Sequence, residues 1–229
     1  MAILSIDSSN GYSNILITDD NLDKTYGSIS GFHEKHSVLI FKQIDEMTKK
    51  AGIKLNDLTE ITVILGPGSY TGIRVSLTIA KTLSYCLGIN IIGISGLFIC
   101  AYSLLKSELN LKDIVTVKDA MRNDYYVSSY VLEKGSIIPS LKISLFDLSE
   151  LESFIDGIGD SPTIVYGYNK KDDYERFTSR LERRGAISPF DLKKTTGFAS
   201  MYAMESGIKN GSKYTEEISP YYIYGDGPF

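Results

Sequence analysis

Cysteine and histidine are scarce in this chain and tryptophan is absent: the 229 residues include two cysteines and two histidines. So few thiols exclude the small disulfide-stapled domains of secreted proteins, and the spacing of Cys86 and Cys100 matches no metal motif. Both cysteines lie in apolar segments, so we expect buried, reduced thiols. His33 and His36 could share a helix face, but no third metal ligand accompanies them, which disfavours a zinc peptidase.

Positive charge is not in surplus either. Lys and Arg number 24 against 28 for Asp and Glu, which gives a net charge of −4. A protein that binds nucleic acid by itself needs a basic surface, so that class is not expected. No apolar run approaches the roughly 20 residues that span a bilayer, and no basic leader opens the chain. We therefore expect a cytoplasmic protein without membrane contact.

The order of secondary-structure signals predicts an α/β fold. Residues 1–105 read as three strands, helix, strand, helix, strand and helix, an order typical of a mixed sheet of the ribonuclease-H type. We place the lobe boundary between residues 106 and 107, giving a lobe of residues 1–106 and a smaller one of 107–229. The second lobe reads as two strands around a charged turn, then segments at 146–155 (helix), 163–166 (strand), 174–184 (helix) and 198–208 (a helix able to pack back on the first lobe).

One glycine-rich stretch joins a buried strand to a long helix: Gly66-Pro67-Gly68-Ser69-Tyr70-Thr71-Gly72-Ile73-Arg74. Gly66 and Gly68 allow positive φ and Pro67 fixes φ between them, so a tight turn is predicted. Ser69 or Thr71 can cap the helix. Such a helix start attracts anions, and it is also a rigid corner for a partner surface. The stretch is neither a P-loop nor a G-x-G-x-x-G motif.

A second polar turn, Asp7-Ser8-Ser9-Asn10-Gly11, links the first two predicted strands. In actin-like kinases such a hairpin grips nucleotide phosphate. Alternatively, Asp7 and the two serines satisfy the backbone amides of the turn. Both interpretations stay open on the sequence alone.

The two helices of the first lobe carry more apolar residues than one sheet face covers. Four large apolar residues follow one another in 38–41, and the helix after the glycine loop is apolar around most of its girth. A helix apolar on nearly all sides is buried on nearly all sides. We prefer a core plus a subunit interface over a core alone. The predicted interface comprises the glycine loop with His36, Phe41, Ser76, Leu77 and Ala80.

The sequence contains few residue patterns that are typical of an active site. Asp119, Arg122 and Asp124 form the one charged cluster of catalytic character. Paired carboxylates can serve as acid and base, but a salt-bridged turn is commoner. There is no G-x-S-x-G elbow and no H-E-x-x-H motif, so we do not expect a complete active site within this chain.

The glycine loop closely resembles the Gly-Pro-Gly-Ser-Phe-Thr-Gly-Leu-Arg signature of the TsaB (YeaZ) family. Leu4–Ser9, His36-Ser37, Ser95–Leu97, Asp119-Ala120 and Pro220–Tyr222 resemble further family motifs. The similarity is firm over residues 1–105 and patchy afterwards. Val38, Ser76 and Met121 depart from residues that are frequent in the family.

The resemblance implies an actin-like ATPase (ASKHA, ribonuclease-H-like) fold with a complete first lobe and a reduced second lobe. It implies a non-catalytic scaffold or activator subunit in the synthesis of N6-threonylcarbamoyladenosine at position 37 of tRNA. The subunit would pair with its catalytic paralogue TsaD through the two first-lobe helices, or form a homodimer when alone.

The same resemblance implies that TsaD carries the metal and the transfer chemistry, that the ATPase TsaE joins, and that tRNA is bound only through the complex. The chain would hold no cofactor of its own, although ATP or ADP could lie at the shared interface, where Arg74 and the loop amides would order the surroundings. The alternative function is an ATP-dependent phosphotransferase of the same fold, motivated by Asp7 and the glycine loop.

Overall fold

The computed structural model describes residues 2–19, 23–31, 36–105, 113–159, 162–181, 184, 186–206 and 218–221. In chain order its elements are β1 (Ala2–Asp7), β2 (Tyr12–Asp19), β3 (Thr25–Gly31), α1 (His36–Ala51), β4 (Leu58–Ile64), α2 (Tyr70–Leu87), β5 (Asn90–Ile94), α3 (Gly96–Leu105), β6 (Asp113–Met121), β7 (Asp124–Glu133), β8 (Ser136–Phe146), α4 (Leu148–Gly157), β9 (Thr163–Tyr168), α5 (Lys171–Leu181), β10 (Ile187–Asp191) and α6 (Thr195–Ser206). The predicted order of the first eight elements is confirmed.

The chain divides into two compact units, Met1–Gly96 with Lys193–Tyr222 and Leu97–Leu192 with Ile223–Phe229. The predicted boundary after residue 106 falls beyond the observed break at Gly96. The difference arises because α3 packs with the second sheet: the Phe98 ring lies edge-on to Tyr130, with 5.9 Å between ring centroids.

The first unit contains a five-stranded mixed sheet in the order β3-β2-β1-β4-β5. The first three strands are antiparallel, and β4 runs parallel to both β1 and β5. Every residue of β1 is buried, so both faces of the sheet are covered there. The even-numbered Leu4 and Ile6 join the core beneath α1 and α2. The odd-numbered Ser5 and Asp7 hydrogen-bond to residues of α6, as the two-residue period of a strand requires.

The second unit contains another five-stranded sheet, in the order β10-β9-β6-β7-β8. Its core lies between this sheet and helices α4 and α5, which contribute Leu151, Ile155, Phe177 and Leu181. The charged turn between β6 and β7 was predicted, whereas β8 and β10 were not. Most of β8 is exposed or half-buried, so it lacks the apolar run that reveals a buried strand.

Cys100 is buried, as expected, but Cys86 on α2 is exposed, so the prediction of two buried thiols was wrong for Cys86. No helix in the described part of the chain is long and apolar enough to cross a membrane.

Candidate functional site: the glycine loop, its hairpin and the outer helix face

The glycine loop is anchored by backbone hydrogen bonds on both sides. The Gly96 amide donates to the Gly66 carbonyl at 2.8 Å, and the Tyr221 amide donates to the Leu65 carbonyl at 2.9 Å. Gly66 and Gly68 have φ values of 102° and 154°, the conformations predicted for them. The loop is therefore held by the start of α3 and by the segment 218–221 of the same unit.

Ser69 caps α2, because its Oγ accepts the Gly72 amide at 3.2 Å. The Ser69 amide donates to the Ser9 carbonyl at 2.8 Å, and the Ser8 Oγ donates to the Gly72 carbonyl at 2.6 Å. A Cβ at Gly72 would lie 1.8 Å from the Ser8 carbonyl oxygen. The β1–β2 hairpin and the start of α2 thus interlock at a position where only glycine fits.

Asp7 is completely buried and its carboxylate is occupied from within the unit. Oδ1 accepts the Ser9 amide at 2.8 Å and the Ser9 hydroxyl at 2.7 Å. Oδ2 accepts the Asn10 side-chain amide at 2.9 Å and the Thr195 hydroxyl at 2.5 Å. A carboxylate offers about four lone-pair sites, and four donors fill them here. Asp7 therefore organises the turn, the second of the two interpretations left open by the sequence.

Four residues predicted for the partner interface lie inside the first unit instead. Ile73, Ser76 and Ala80 are completely buried, and Leu77 is nearly so. The sheet covers one side of α2 and α1 covers another. These two contacts account for most of the apolar surface of the helix. The structure contradicts an interface role for these four side chains. Gly66, Pro67 and Gly72 are buried as well.

Exposed aromatic residues lie on the outer side of α1 and α2. We call this surface the outer helix face. Phe41, Tyr70 and Tyr85 are 48%, 51% and 71% exposed. The Arg74 guanidinium lies 4.0 Å above the Tyr70 ring, a cation–π contact. A groove of about 250 Å³ follows, lined by Phe41, Arg74, Val75, Thr78, Ile79 and Thr82.

Phe41 and Arg74 were predicted from the sequence, whereas Tyr85 was missed. Its spacing could have revealed it, since positions 70, 74, 78, 82 and 85 repeat every three to four residues along one helix face. Thr71, on the first turn of α2, is also exposed. His36 is the first residue of α1, but its side chain and all of His33 lie outside the described residues.

The charged cluster of the second unit forms a turn. The Asp119 Oδ1 accepts the Met121 amide at 2.7 Å, and Met121, Arg122 and Asn123 all have positive φ. Within the described residues Arg122 makes no ion pair with Asp119 or Asp124, so the predicted salt bridge is not there. Arg122 instead faces a cavity together with residues of β7, β9 and α5.

Comparison with known proteins identifies the family. The family model described as "TsaD: tRNA N6-adenosine threonylcarbamoyltransferase" matches residues 12–153. A Bacillus subtilis protein named tRNA threonylcarbamoyladenosine biosynthesis protein TsaB is 31% identical over 156 residues, which span 66% of this chain and 66% of that protein. The chain belongs to the TsaB (YeaZ) family. The chain thus spans just under two thirds of the length of that relative.

Solved structures establish the fold. The structure of YeaZ from Pseudomonas aeruginosa is similar with a TM-score of 0.71 and 17% identity, over 97% of this chain and 99% of that one. An exopolyphosphatase from Cytophaga hutchinsonii is similar with a TM-score of 0.53 and 12% identity, over 93% of this chain and 100% of that one. The fold is that of actin-like ATPases, as the resemblance implied.

Proposed function

We propose that this chain is a non-catalytic subunit in the biosynthesis of threonylcarbamoyladenosine on tRNA, and that it supports a TsaD-like catalytic partner. The name of the Bacillus subtilis relative supports the pathway. The observation that carries the non-catalytic role is the occupied carboxylate of Asp7, at the hairpin where actin-like kinases grip phosphate.

The hydrogen bonds of Asp7 weigh against the alternative phosphotransferase. A metal-bound nucleotide phosphate at this hairpin would have to displace donors that already fill both carboxylate oxygens. Each displaced buried donor costs about 1–3 kcal/mol unless the ligand replaces its acceptor. The turn is thus built to hold the hairpin against α2 and α6, and the transfer chemistry belongs to the partner.

The outer helix face is the docking surface in this proposal. Three exposed aromatic side chains and an apolar groove lie on two adjacent helices, and aromatic anchors beside a groove are typical of interface hot spots. The family model of the catalytic enzyme matches residues 12–153, so partner and subunit share the architecture of this region. Two related lobes can then meet face to face through equivalent helices, and two copies of this chain can do the same in a homodimer.

The remaining assembly follows from the pathway. A TsaE-like ATPase joins the pair, ATP or ADP lies at the shared interface near Arg74, and tRNA reaches this chain only within the complex, in the cytoplasm. The net charge of −4 supports this division of labour, because independent RNA binding requires a basic surface.

Phe41→Glu tests the docking surface. Placing a carboxylate at position 41, in the groove that Val75 and Thr78 also line, should abolish co-purification with the TsaD-like partner. The chain should stay folded, since Phe41 is 48% exposed. Ile138→Glu is the matched control, because Ile138 is similarly exposed at 43% but lies on β8 of the second unit. Equal pairing by both variants, measured by light scattering on the eluted complex, would contradict the proposal.

A further inference from the structure

A cavity of about 170 Å³ lies within the second unit, a volume of nearly six liquid-water molecules at about 30 Å³ each. Its wall comes from three places: the β6–β7 turn, strands β7 and β9, and helix α5. The polar groups that matter are Arg122, Tyr125, Tyr166, Asp173, Arg176 and Arg180. Neither the family resemblance nor the proposed docking surface accounts for it.

Tyr166 supplies a polar group to this cavity. Its side chain is 3% exposed, and its ring stacks on Phe177 with 4.0 Å between centroids. Within the described residues its hydroxyl has no hydrogen-bond partner, yet it reaches the cavity space. Burial raises the pKa of Tyr166, with Asp119 and Tyr125 adding to the shift. The phenol therefore keeps its proton at neutral pH and is available as a donor.

Arg122, Tyr125 and Arg180 bring further donors to the cavity. The Arg180 Nη1 donates to the Tyr125 hydroxyl at 3.2 Å, which leaves the Tyr125 proton without an acceptor in the described part of the chain. Arg122 and Arg180 have no carboxylate within 4.0 Å among the described residues. Arg122 and Arg180 are exposed, so water solvates them when no ligand is bound. The Tyr125 and Tyr166 hydroxyls belong to buried side chains, and a ligand rich in acceptor oxygens would satisfy these donors.

Three of the four acidic groups near the cavity have a partner among the described residues. Asp173 pairs with Arg176 at 2.6 Å, and Asp119 accepts the Met121 amide. Asp147, in the neighbouring groove that Arg122 and Arg180 also line, accepts the Glu150 amide as the N-cap of α4. Asp124 lines the same groove. Three arginine and two aspartate side chains line the cavity, so positive charge exceeds negative charge there by one.

We propose that this cavity binds a phosphate group. Its donors converge from a turn, a sheet and a helix, which suits a tetrahedral group with acceptor oxygens on every side better than a planar carboxylate with two. Guanidinium forks match phosphate geometry and form charge-assisted hydrogen bonds to it. The phosphate comes either from the tRNA backbone, a source that depends on the proposed function, or from a free phosphate compound.

Titration of the full chain with inorganic phosphate tests the site directly. Tyr166→Phe and Arg180→Gln should each weaken binding about tenfold or more, since hydrogen bonds to charged groups are among the strong ones. Lys142→Gln removes the same charge as Arg180→Gln from an exposed position on β8, and it should bind as the wild type does. Tyr166→Phe should also keep the wild-type melting temperature, because the hydroxyl has no partner in the described structure; a merely structural hydroxyl would lower it.

Binding of an unmodified tRNA transcript to the assembled complex separates the two sources. If the backbone is the source, Arg180→Gln should reduce the slope of log affinity against log salt by about 1 between about 50 and 200 mM. An unchanged slope with weakened inorganic phosphate binding assigns the site to a free phosphate compound. Failure to form the complex would count against the proposed function alone. If Tyr166→Phe and Arg180→Gln changed neither phosphate binding nor tRNA binding, the proposal of a phosphate site would be overturned.

Discussion

Gly72→Ala tests the interlock between the hairpin and the start of α2. The new Cβ would lie 1.8 Å from the Ser8 carbonyl oxygen, whereas a carbon and an oxygen in favourable contact are about 3.3–3.6 Å apart. Relief therefore requires the two backbones to separate by roughly 1.5 Å. That movement breaks the Ser69 amide to Ser9 carbonyl bond and the Ser8 hydroxyl to Gly72 carbonyl bond.

The expected loss of stability follows from these contacts. Two hydrogen bonds contribute about 1 kcal/mol each, and buried groups left unsatisfied cost about 1–3 kcal/mol. Alanine regains about 1 kcal/mol of helix propensity over glycine. The net destabilisation is about 2–4 kcal/mol, which corresponds to a melting temperature roughly 4–16 °C lower for a chain of this length.

Thermal unfolding followed by circular dichroism measures this loss. Gly197→Ala is the matched control, because Gly197 lies in α6 of the same unit and a Cβ there meets nothing within 4 Å. The control should melt at or slightly above the wild-type temperature. If Gly72→Ala melted like the control, the hairpin would not be interlocked with α2 and the reasoning about the loop would fail.

Three further predictions concern Asp7, Leu77 and the half-buried Glu60 of the first unit. Asp7→Asn places an amide donor against the donors that fill the carboxylate, so the melting temperature should fall and magnesium-ATP should not restore it; rescue by the nucleotide would contradict the non-catalytic role. Burial raises the pKa of Glu60, so the folded state binds its proton more tightly and the ionised group costs stability above the unfolded pKa. Glu60→Gln should therefore be slightly more stable than the wild type at pH 7, and the gain should vanish below about pH 4. Leu77→Ala should destabilise the chain by about 2–5 kcal/mol in denaturant titrations, and the folded fraction should still pair with the partner; normal stability with lost pairing would return Leu77 to the interface.

The sequence predicted local features well. The spacing of apolar runs located the first eight elements. The glycine loop predicted the positive φ values and a cap at Ser69 or Thr71, of which Ser69 is the cap observed. These features depend on neighbouring residues only. The role of the hairpin around Asp7 stayed open on the sequence alone. Thr195, which gives the Asp7 carboxylate its fourth hydrogen bond, is 188 residues away in the chain.

The sequence could not assign helix faces between core and surface. Leu77 has the character of an interface residue, but it packs in the core that residues of α1 and the sheet also form. Counting apolar residues gives the amount of surface to be covered, not what covers it. The cavity of the second unit was hidden for a similar reason, since Arg122, Tyr166 and Arg180 come from three separate elements.

The most direct measurement of the central claim is threonylcarbamoyladenosine formation on an unmodified tRNA transcript with purified components. We predict no product from this chain alone, product from this chain together with a TsaD-like partner and a TsaE-like ATPase, and loss of that product with Phe41→Glu but not with Ile138→Glu. Product formed by this chain alone, or equal product with both variants, would contradict the account.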